Sequence, residues 1–299
     1  MKVLICDATD PKALETIAEA GIEVVNRPDI TPEELVEAIP EYNCMVVRSR
    51  TKVRIPVIDK SANLKAIVRG GVGLDNIDVE YAQSKGIQVL NTPSASTQAV
   101  AELATGYLLA LARHIPQMTA SMKAGKWEKK TFKGIEVAGK VLGLVGAGRI
   151  GQCVGKLAHA LGMTVLAYDP FVSEGDNIEF VSLEELFKRS DFLTLHVPHI
   201  EATHNIISAE NLKKMKNGVR IINCGRGGTI DEDALYDAIL EGKVAGAALD
   251  VYAEEPSKGH KLYTLNEVIG SPHVGAGTAE AKARVGEEVA QKVIGALIK

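Results

Sequence analysis

Several things are scarce in this 299-residue chain, and each scarcity removes a class of protein. There is no basic excess: 34 Lys and Arg stand against 38 Asp and Glu, a formal charge of −4. That gives no support for a nucleic-acid surface. With 46% hydrophobic residues the chain is not disordered either. No apolar run approaches the ~18 residues a membrane span needs. Met1-Lys2 leads directly into the strand-like Val3-Leu4-Ile5-Cys6, which leaves no room for a signal peptide, and a soluble cytoplasmic protein is expected. The four cysteines, Cys6, Cys44, Cys153 and Cys224, fall in no CxxC or CxxH spacing. They read as reduced core residues rather than metal ligands or disulfides, and no metal is expected. Aromatics are few, at 4%, whereas glycine is plentiful at 28 residues, as where backbone must approach backbone or a ligand closely.

What is present is a repeated alternation of short apolar strands and amphipathic helices, the pattern of parallel sheets covered on both faces. The first stretch runs from Val3-Leu4-Ile5 through strands at 45–47 and 65–68 to Val89-Leu90. Asp10-Pro11 and Thr31-Pro32-Glu33-Glu34 are helix starts, the second a capping box. A long helix over Thr97–Arg113, ended by Ile115-Pro116, reads as an inter-domain element. The second stretch has six strands, at Val141–Val145, Thr164–Tyr168, 192–196, Val219–Asn223, Val244–Leu249 and Val268–Gly270. Helices are expected at 150–161, 183–188 (capping box Ser182/Glu185) and 233–241. A last helix, 279–298, has no further strand to serve and packs back on the first domain. The domains are therefore 1–97 with 279–299, and 98–278: two Rossmann-like α/β units, the second a doubly wound parallel sheet.

Gly146-Ala147-Gly148-Arg149-Ile150-Gly151 follows the strand Val141–Val145 and opens a helix. Gly146 permits the tight turn, Gly148 clears the path of a pyrophosphate, and Gly151 lets helix and strand sit close. The helix N-terminus offers free N–H groups to the diphosphate. Asp169 closes the unit about 18 residues after Gly151, placed to accept from ribose hydroxyls and to repel a 2′-phosphate, so NAD is expected over NADP. A second glycine cluster, Gly70-Gly71-Val72-Gly73, lacks the third glycine at the right spacing. It is either a loop whose amides hold an anionic group or a plain tight turn.

Three polar residues follow three successive strands, where open α/β sheets gather ligands. Arg226 lies in Asn223-Cys224-Gly225-Arg226-Gly227-Gly228, Glu255 in Tyr252-Ala253-Glu254-Glu255-Pro256, and His273 in Ser271-Pro272-His273-Val274-Gly275. An arginine to clamp a carboxylate, a histidine to exchange a proton and an acid to orient it suit hydride transfer at a hydroxy acid.

In order and spacing, these segments together with 146–151 and 249–256 resemble the D-isomer-specific 2-hydroxyacid dehydrogenases, over essentially the whole chain. Val47-Arg48-Ser49-Arg50-Thr51-Lys52, Gly73-Leu74-Asp75-Asn76-Ile77-Asp78, Asn91-Thr92-Pro93 and 120–127 resemble, within that family, the members that oxidise 3-phospho-D-glycerate in the first step of serine biosynthesis. The resemblance implies a smaller flavodoxin-like substrate domain and a cleft closing around both ligands. It makes His273 the general acid/base, Glu255 its holder, and Arg226 the group that binds the substrate carboxylate, helped by amides at Val72 and Gly73. It puts NAD against Gly146, Gly148, Arg149, Ile150, Gly151, Asp169, Val197, Cys224, Gly225, Arg226, Asp250, His273 and Gly275. Arg48, Ser49 and Arg50 become candidates for the substrate phosphate, with Lys129 or Lys130 of a neighbouring subunit as the other source. A homodimer through 97–127 is implied. Val72 departs from the threonine common at its position, and Val197 offers only apolar contact. Many such relatives continue into a serine-sensing domain; this sequence stops at Lys299, so no feedback inhibition by serine is expected. The nearest rival activity is glyoxylate or hydroxypyruvate reduction, which needs no phosphate pocket. A rival of another class is an NAD-sensing corepressor-like scaffold, against which Arg226, Glu255 and His273 together argue.

Overall fold

Five short strands, β1 (Lys2–Ile5), β2 (Glu23–Asn26), β3 (Cys44–Val47), β4 (Ala66–Arg69) and β5 (Gln88–Asn91), form an all-parallel sheet in the order β2-β1-β3-β4-β5. The structure is a computed structural model and describes residues 1–298; Lys299, the end of the span assigned to the first domain, lies outside them. β3 is buried at all four residues, which is why it reads as an unbroken apolar run. β2 was not expected. It is an edge strand, Glu-Val-Val-Asn, with both polar ends exposed, and so carries little apolar signal.

The helix starts are made as the sequence dictates. Asp10 accepts from Lys12 N at 2.9 Å. Thr31 and Glu34 close a reciprocal capping box, Glu34 N to Thr31 Oγ1 at 3.2 Å and Thr31 N to Glu34 Oε2 at 3.0 Å. The last helix, Ala279–Leu297, is capped by Thr278 and lays Val285, Val289, Val293 and Leu297 against Val3, Ile5, Val46 and Val68. That four-residue spacing is one face of a helix. Chain contacts group Met1–Ser96 with Ala276–Lys299 as one unit and Thr97–Gly275 as another.

The second unit holds β6 (Val141–Val145), β7 (Thr164–Tyr168), β8 (Ile178–Phe180), β9 (Phe192–Leu195), β10 (Val219–Asn223), β11 (Val244–Leu249) and β12 (Val268–Gly270). All pairs are parallel, in the order β12-β11-β10-β9-β6-β7-β8. The sheet thus has seven strands where six were expected. β8 is a three-residue edge strand too short to register as a period. The chain leaves β6 for β7 and β8 on one side and returns to β9 on the other. The order therefore reverses between β6 and β9, which puts the ligand crevice at the carboxyl ends of those two strands.

The Thr97–Arg113 helix is part of this unit's core and not a free connector. Val100, Ala101, Ala104, Leu108 and Leu111 join Leu142, Leu144, Val154 and Ala158 in one apolar layer. Leu186, Phe187, Leu193 and Leu235 anchor the layer on the other face. Each of the valine, leucine and phenylalanine side chains contributes about 1.5–3 kcal/mol on burial. His114, at φ 54°, turns the chain into the next helix, Ile115–Lys123. Among the described residues no helix is long and apolar enough to cross a membrane.

Candidate active site

Gly146 stands at the end of β6 with φ +96°, and a Cβ there would come within 2.7 Å of the His196 carbonyl oxygen. A Cβ at Gly151 would overlap the Gly146 carbonyl oxygen, so the loop folds tightly onto the first turn of its helix. A Cβ at Gly148, by contrast, would meet open space. Gly148 also caps the helix Arg149–Ala160 without bringing a side chain to its amides. An open approach to an uncapped helix N-terminus fits a pyrophosphate, and Arg149 and Ile150 stand at that turn.

Asp169 follows β7, half-buried. Its Oδ2 accepts from Ala147 N at 2.8 Å, and its Oδ1 from Phe171 N at 2.8 Å and Val172 N at 3.1 Å. Three of about four acceptor positions are engaged, which aims the carboxylate beside the glycine loop and leaves room for a ribose hydroxyl. On the far side of the crevice Val197 packs on Gly146. Beneath the loop lies His196, which sequence reasoning passed over. Its Nε2 meets Thr194 Oγ1 at 3.0 Å, and burial pulls its pKa down from 6.5 to about 4, so the ring is neutral at ordinary pH.

β10 ends in Asn223, whose buried side chain shapes the next loop. It accepts from Gly225 N at 3.0 Å and donates to the Arg226 carbonyl oxygen at 3.0 Å and Thr229 Oγ1 at 3.1 Å. Cys224 is only 6% exposed, and burial pushes its thiol pKa up, so any contact it makes with a ligand belongs to its backbone. Arg226 donates Nη1 to the Gly225 carbonyl oxygen at 2.7 Å, which holds the guanidinium against its own loop. A Cβ at Gly227 would overlap the Tyr252 carbonyl oxygen, so the arginine loop lies directly against the loop that carries Glu255.

Glu255 and His273 are joined. Glu255 Oε2 meets His273 Nδ1 at 2.8 Å, and Oε1 accepts from Tyr252 N at 3.2 Å. With Nδ1 donating to the carboxylate, the neutral ring has its lone pair on Nε2. Both side chains stay accessible, His273 at 44% and Glu255 at 37%. His273 sits at φ 54°, an uncommon conformation for a non-glycine residue. The loop around it is pinned by Asp250, which is 1% exposed. That carboxylate accepts from Ser271 Oγ, from Val274 N at 2.8 Å and from Gly275 N at 2.7 Å. Tyr107, on the Thr97–Arg113 helix, donates to Ser271 Oγ at 2.5 Å. Asp250, expected among the cofactor contacts, thus has its carboxylate engaged in holding the His273 loop.

In the first unit the two candidate arginines differ. Arg50 donates Nε to Asp7 at 3.0 Å and its other nitrogens to the carbonyl oxygens of Ile30 (3.2 Å), Cys6 and Pro28. It is committed to holding the loop after β3. The Arg48 guanidinium has no hydrogen-bonded partner among the described residues, and Arg48 lines a cavity of about 250 Å³ with Asp10, Gly70 and Lys282. Ser49 is exposed, and the Val72 carbonyl oxygen accepts from Asn91 Nδ2 at 2.6 Å beside Gly73. Lys129 and Lys130 are exposed in the second unit.

Comparison with known proteins identifies the family. The family described as "D-isomer specific 2-hydroxyacid dehydrogenase, NAD binding domain" matches residues 105–275. A hydroxypyruvate reductase of Thermotoga maritima is 50% identical over 296 residues, 98% of this chain and 97% of that one. A D-3-phosphoglycerate dehydrogenase of Methanocaldococcus jannaschii is 51% identical over 298 residues. The alignment takes 98% of this chain and 57% of that protein, so the chain spans about half the length of this second relative. A solved Thermus thermophilus protein superposes with a TM-score of 0.92 at 35% identity, covering 100% of this chain and 97% of that one. The chain belongs to the D-isomer specific 2-hydroxyacid dehydrogenase family, and its cofactor is NAD.

Proposed function

We propose that the protein oxidises 3-phospho-D-glycerate to 3-phosphohydroxypyruvate, with His273 as the base. The observation that carries this is the 2.8 Å His273–Glu255 pair, which leaves Nε2 with a free lone pair beside the Arg226 loop. NAD held at the glycine loop and Asp169 supplies the hydride acceptor. The chain does the rest. Arg226 binds the substrate carboxylate and fixes C2. His273 Nε2 takes the C2 hydroxyl proton as hydride leaves that carbon, and Glu255 offsets the charge that develops on the ring. In reduction His273 returns the proton to the oxygen.

Arg48, with a guanidinium free to bind an anion, takes the phosphate; Arg50, bound to Asp7 and three carbonyl oxygens, does not. The same reading takes the chain as a cytoplasmic homodimer through 97–127, where Ile115, Met122 and Trp127 are exposed. The four cysteines, all unpaired, suit a reducing compartment.

A second reading, reduction of hydroxypyruvate without a phosphate, draws on the Thermotoga relative, a hydroxypyruvate reductase matched over 97% of its length. Turnover of 3-phosphoglycerate, glycerate, hydroxypyruvate and glyoxylate by the wild type and by Arg48→Gln separates the two. The phosphate reading expects a strong preference for the phosphorylated acid that falls by about 10- to 100-fold in the variant. Equal use of phosphorylated and unphosphorylated acids by the wild type overturns it.

A further inference from the structure

A second histidine–carboxylate pair lies in the same unit, outside the residues assigned above. Glu232 is the first residue of the helix Glu232–Leu240, which Asp231 caps by accepting from Ala234 N at 3.0 Å. The cap fixes where the Glu232 side chain starts. Its two oxygens then reach two points of one loop. Oε1 accepts from Ala253 N at 2.8 Å, and Oε2 meets His260 Nε2 at 3.0 Å. Both side chains are largely buried, at 14% and 22% exposed.

The His260 ring has little freedom. Its Nδ1 accepts from Leu262 N at 3.3 Å, so Nε2 carries the proton that goes to Glu232. Lys261 pairs with Asp233 at 2.5 Å, which ties the same stretch to the same helix again. Between Ala253 and His260 lies Glu255. That glutamate is half-exposed, and among the described residues its Oε1 accepts only from Tyr252 N, the amide immediately before the one Glu232 holds.

We propose that Glu232, with His260, is a positioning residue for catalysis: it clamps both ends of the 253–260 loop so that Glu255 meets His273 in one orientation. The proposal rests on the reading of His273 and Glu255 as the proton-transfer pair. Placement matters at this level because displacement of a catalytic group by about 1 Å can cost up to about 100-fold in rate. A residue serving stability alone would change the melting temperature and leave the chemistry of the folded enzyme as it was.

The test compares Glu232→Gln, His260→Ala and His260→Gln with Glu255→Gln and His273→Ala, each as the full-length chain with NAD and 3-phosphoglycerate or hydroxypyruvate. Glu232→Gln and His260→Ala are expected to lower kcat by about 5- to 50-fold, with the Kd for NAD within about twofold of wild type. The pH–rate profile is expected to be displaced in the same direction as in Glu255→Gln. His260→Gln keeps an N–H donor for Glu232 and is expected to recover most of the rate. Wild-type kcat and pH profile in Glu232→Gln and His260→Ala, while His273→Ala is inactive, overturn the clamp and spare the proton pair. An active His273→Ala overturns the pair, and the clamp with it. Should Glu232→Gln fail to fold, the His260 variants decide alone: no difference in rate or profile between His260→Ala and the wild type overturns the proposal.

Discussion

Arg48 and Arg50 are two residues apart, yet only the structure separates their work. Arg50 joins Asp7 to carbonyl oxygens contributed by Cys6, Pro28 and Ile30, partners that lie 20 to 44 positions away in sequence. Arg50→Ala leaves the 5% exposed Asp7 carboxylate without its ion pair. A loss of about 2 kcal/mol is expected in urea unfolding, with the substrate Michaelis constant altered less than in Arg48→Gln. Asp169 is a second residue-level case. Its carboxylate is already oriented by Ala147, Phe171 and Val172, so replacing it removes the turn and, on the proposed reading, the ribose acceptor. Asp169→Ala is expected to weaken NAD binding by about 10- to 100-fold and to narrow its preference over NADP, as read by titration with both dinucleotides. The roles proposed for Arg226, Glu255 and His273 were legible in the sequence because each follows a strand in a recognisable segment. Those of Glu232, His260, Tyr107 and Ser271 were not. Their partners lie 21, 28 and 164 residues away, and no spacing rule links them.

At the scale of elements, the glycine loop is legible because its three glycines meet three different steric demands in a fixed order. The edge strands β2 and β8 are not, because an edge strand of three or four residues has neither a two-sided apolar run nor a clear alternation. Gly151→Ala forces its helix away from the Gly146 carbonyl oxygen. It is expected to cost about 1–3 kcal/mol of stability and to weaken NAD affinity at least about tenfold, measured by denaturant unfolding and by titration. The end of β9 adds a pH dependence. His196 has a folded pKa of about 4 against an ordinary 6.5, so the unfolded chain binds the proton first. A depressed histidine pKa contributes no loss above pH 6.5 and removes stability as the pH falls from about 6.5 to about 4. The expected loss is roughly 3 kcal/mol, seen as a falling urea midpoint over that window. His196→Gln should flatten the slope.

For the whole molecule, two parallel sheets built from one kind of strand–helix alternation serve different ends. In the Thr97–Gly275 unit the strand order reverses at β6 and β9, and the glycine loop and Val197 stand at those two strand ends. Further along the same edge the loops after β10, β11 and β12 bring Arg226, Glu255 and His273 into one neighbourhood, with Asp250 beneath the histidine. In the other unit Arg48, whose guanidinium has no hydrogen-bonded partner among the described residues, lines a cavity with Gly70 and Lys282. On the proposed reading, the second unit supplies cofactor binding and proton transfer, and Arg48 of the first recognises the phosphate of the acid. The central claim is the proton transfer. It is tested most directly by steady-state NAD reduction with 3-phosphoglycerate in wild type and His273→Ala, with NAD affinity measured alongside. The account predicts a fall in kcat of at least about 100-fold with the Kd for NAD within about twofold. Undiminished turnover in His273→Ala would contradict it.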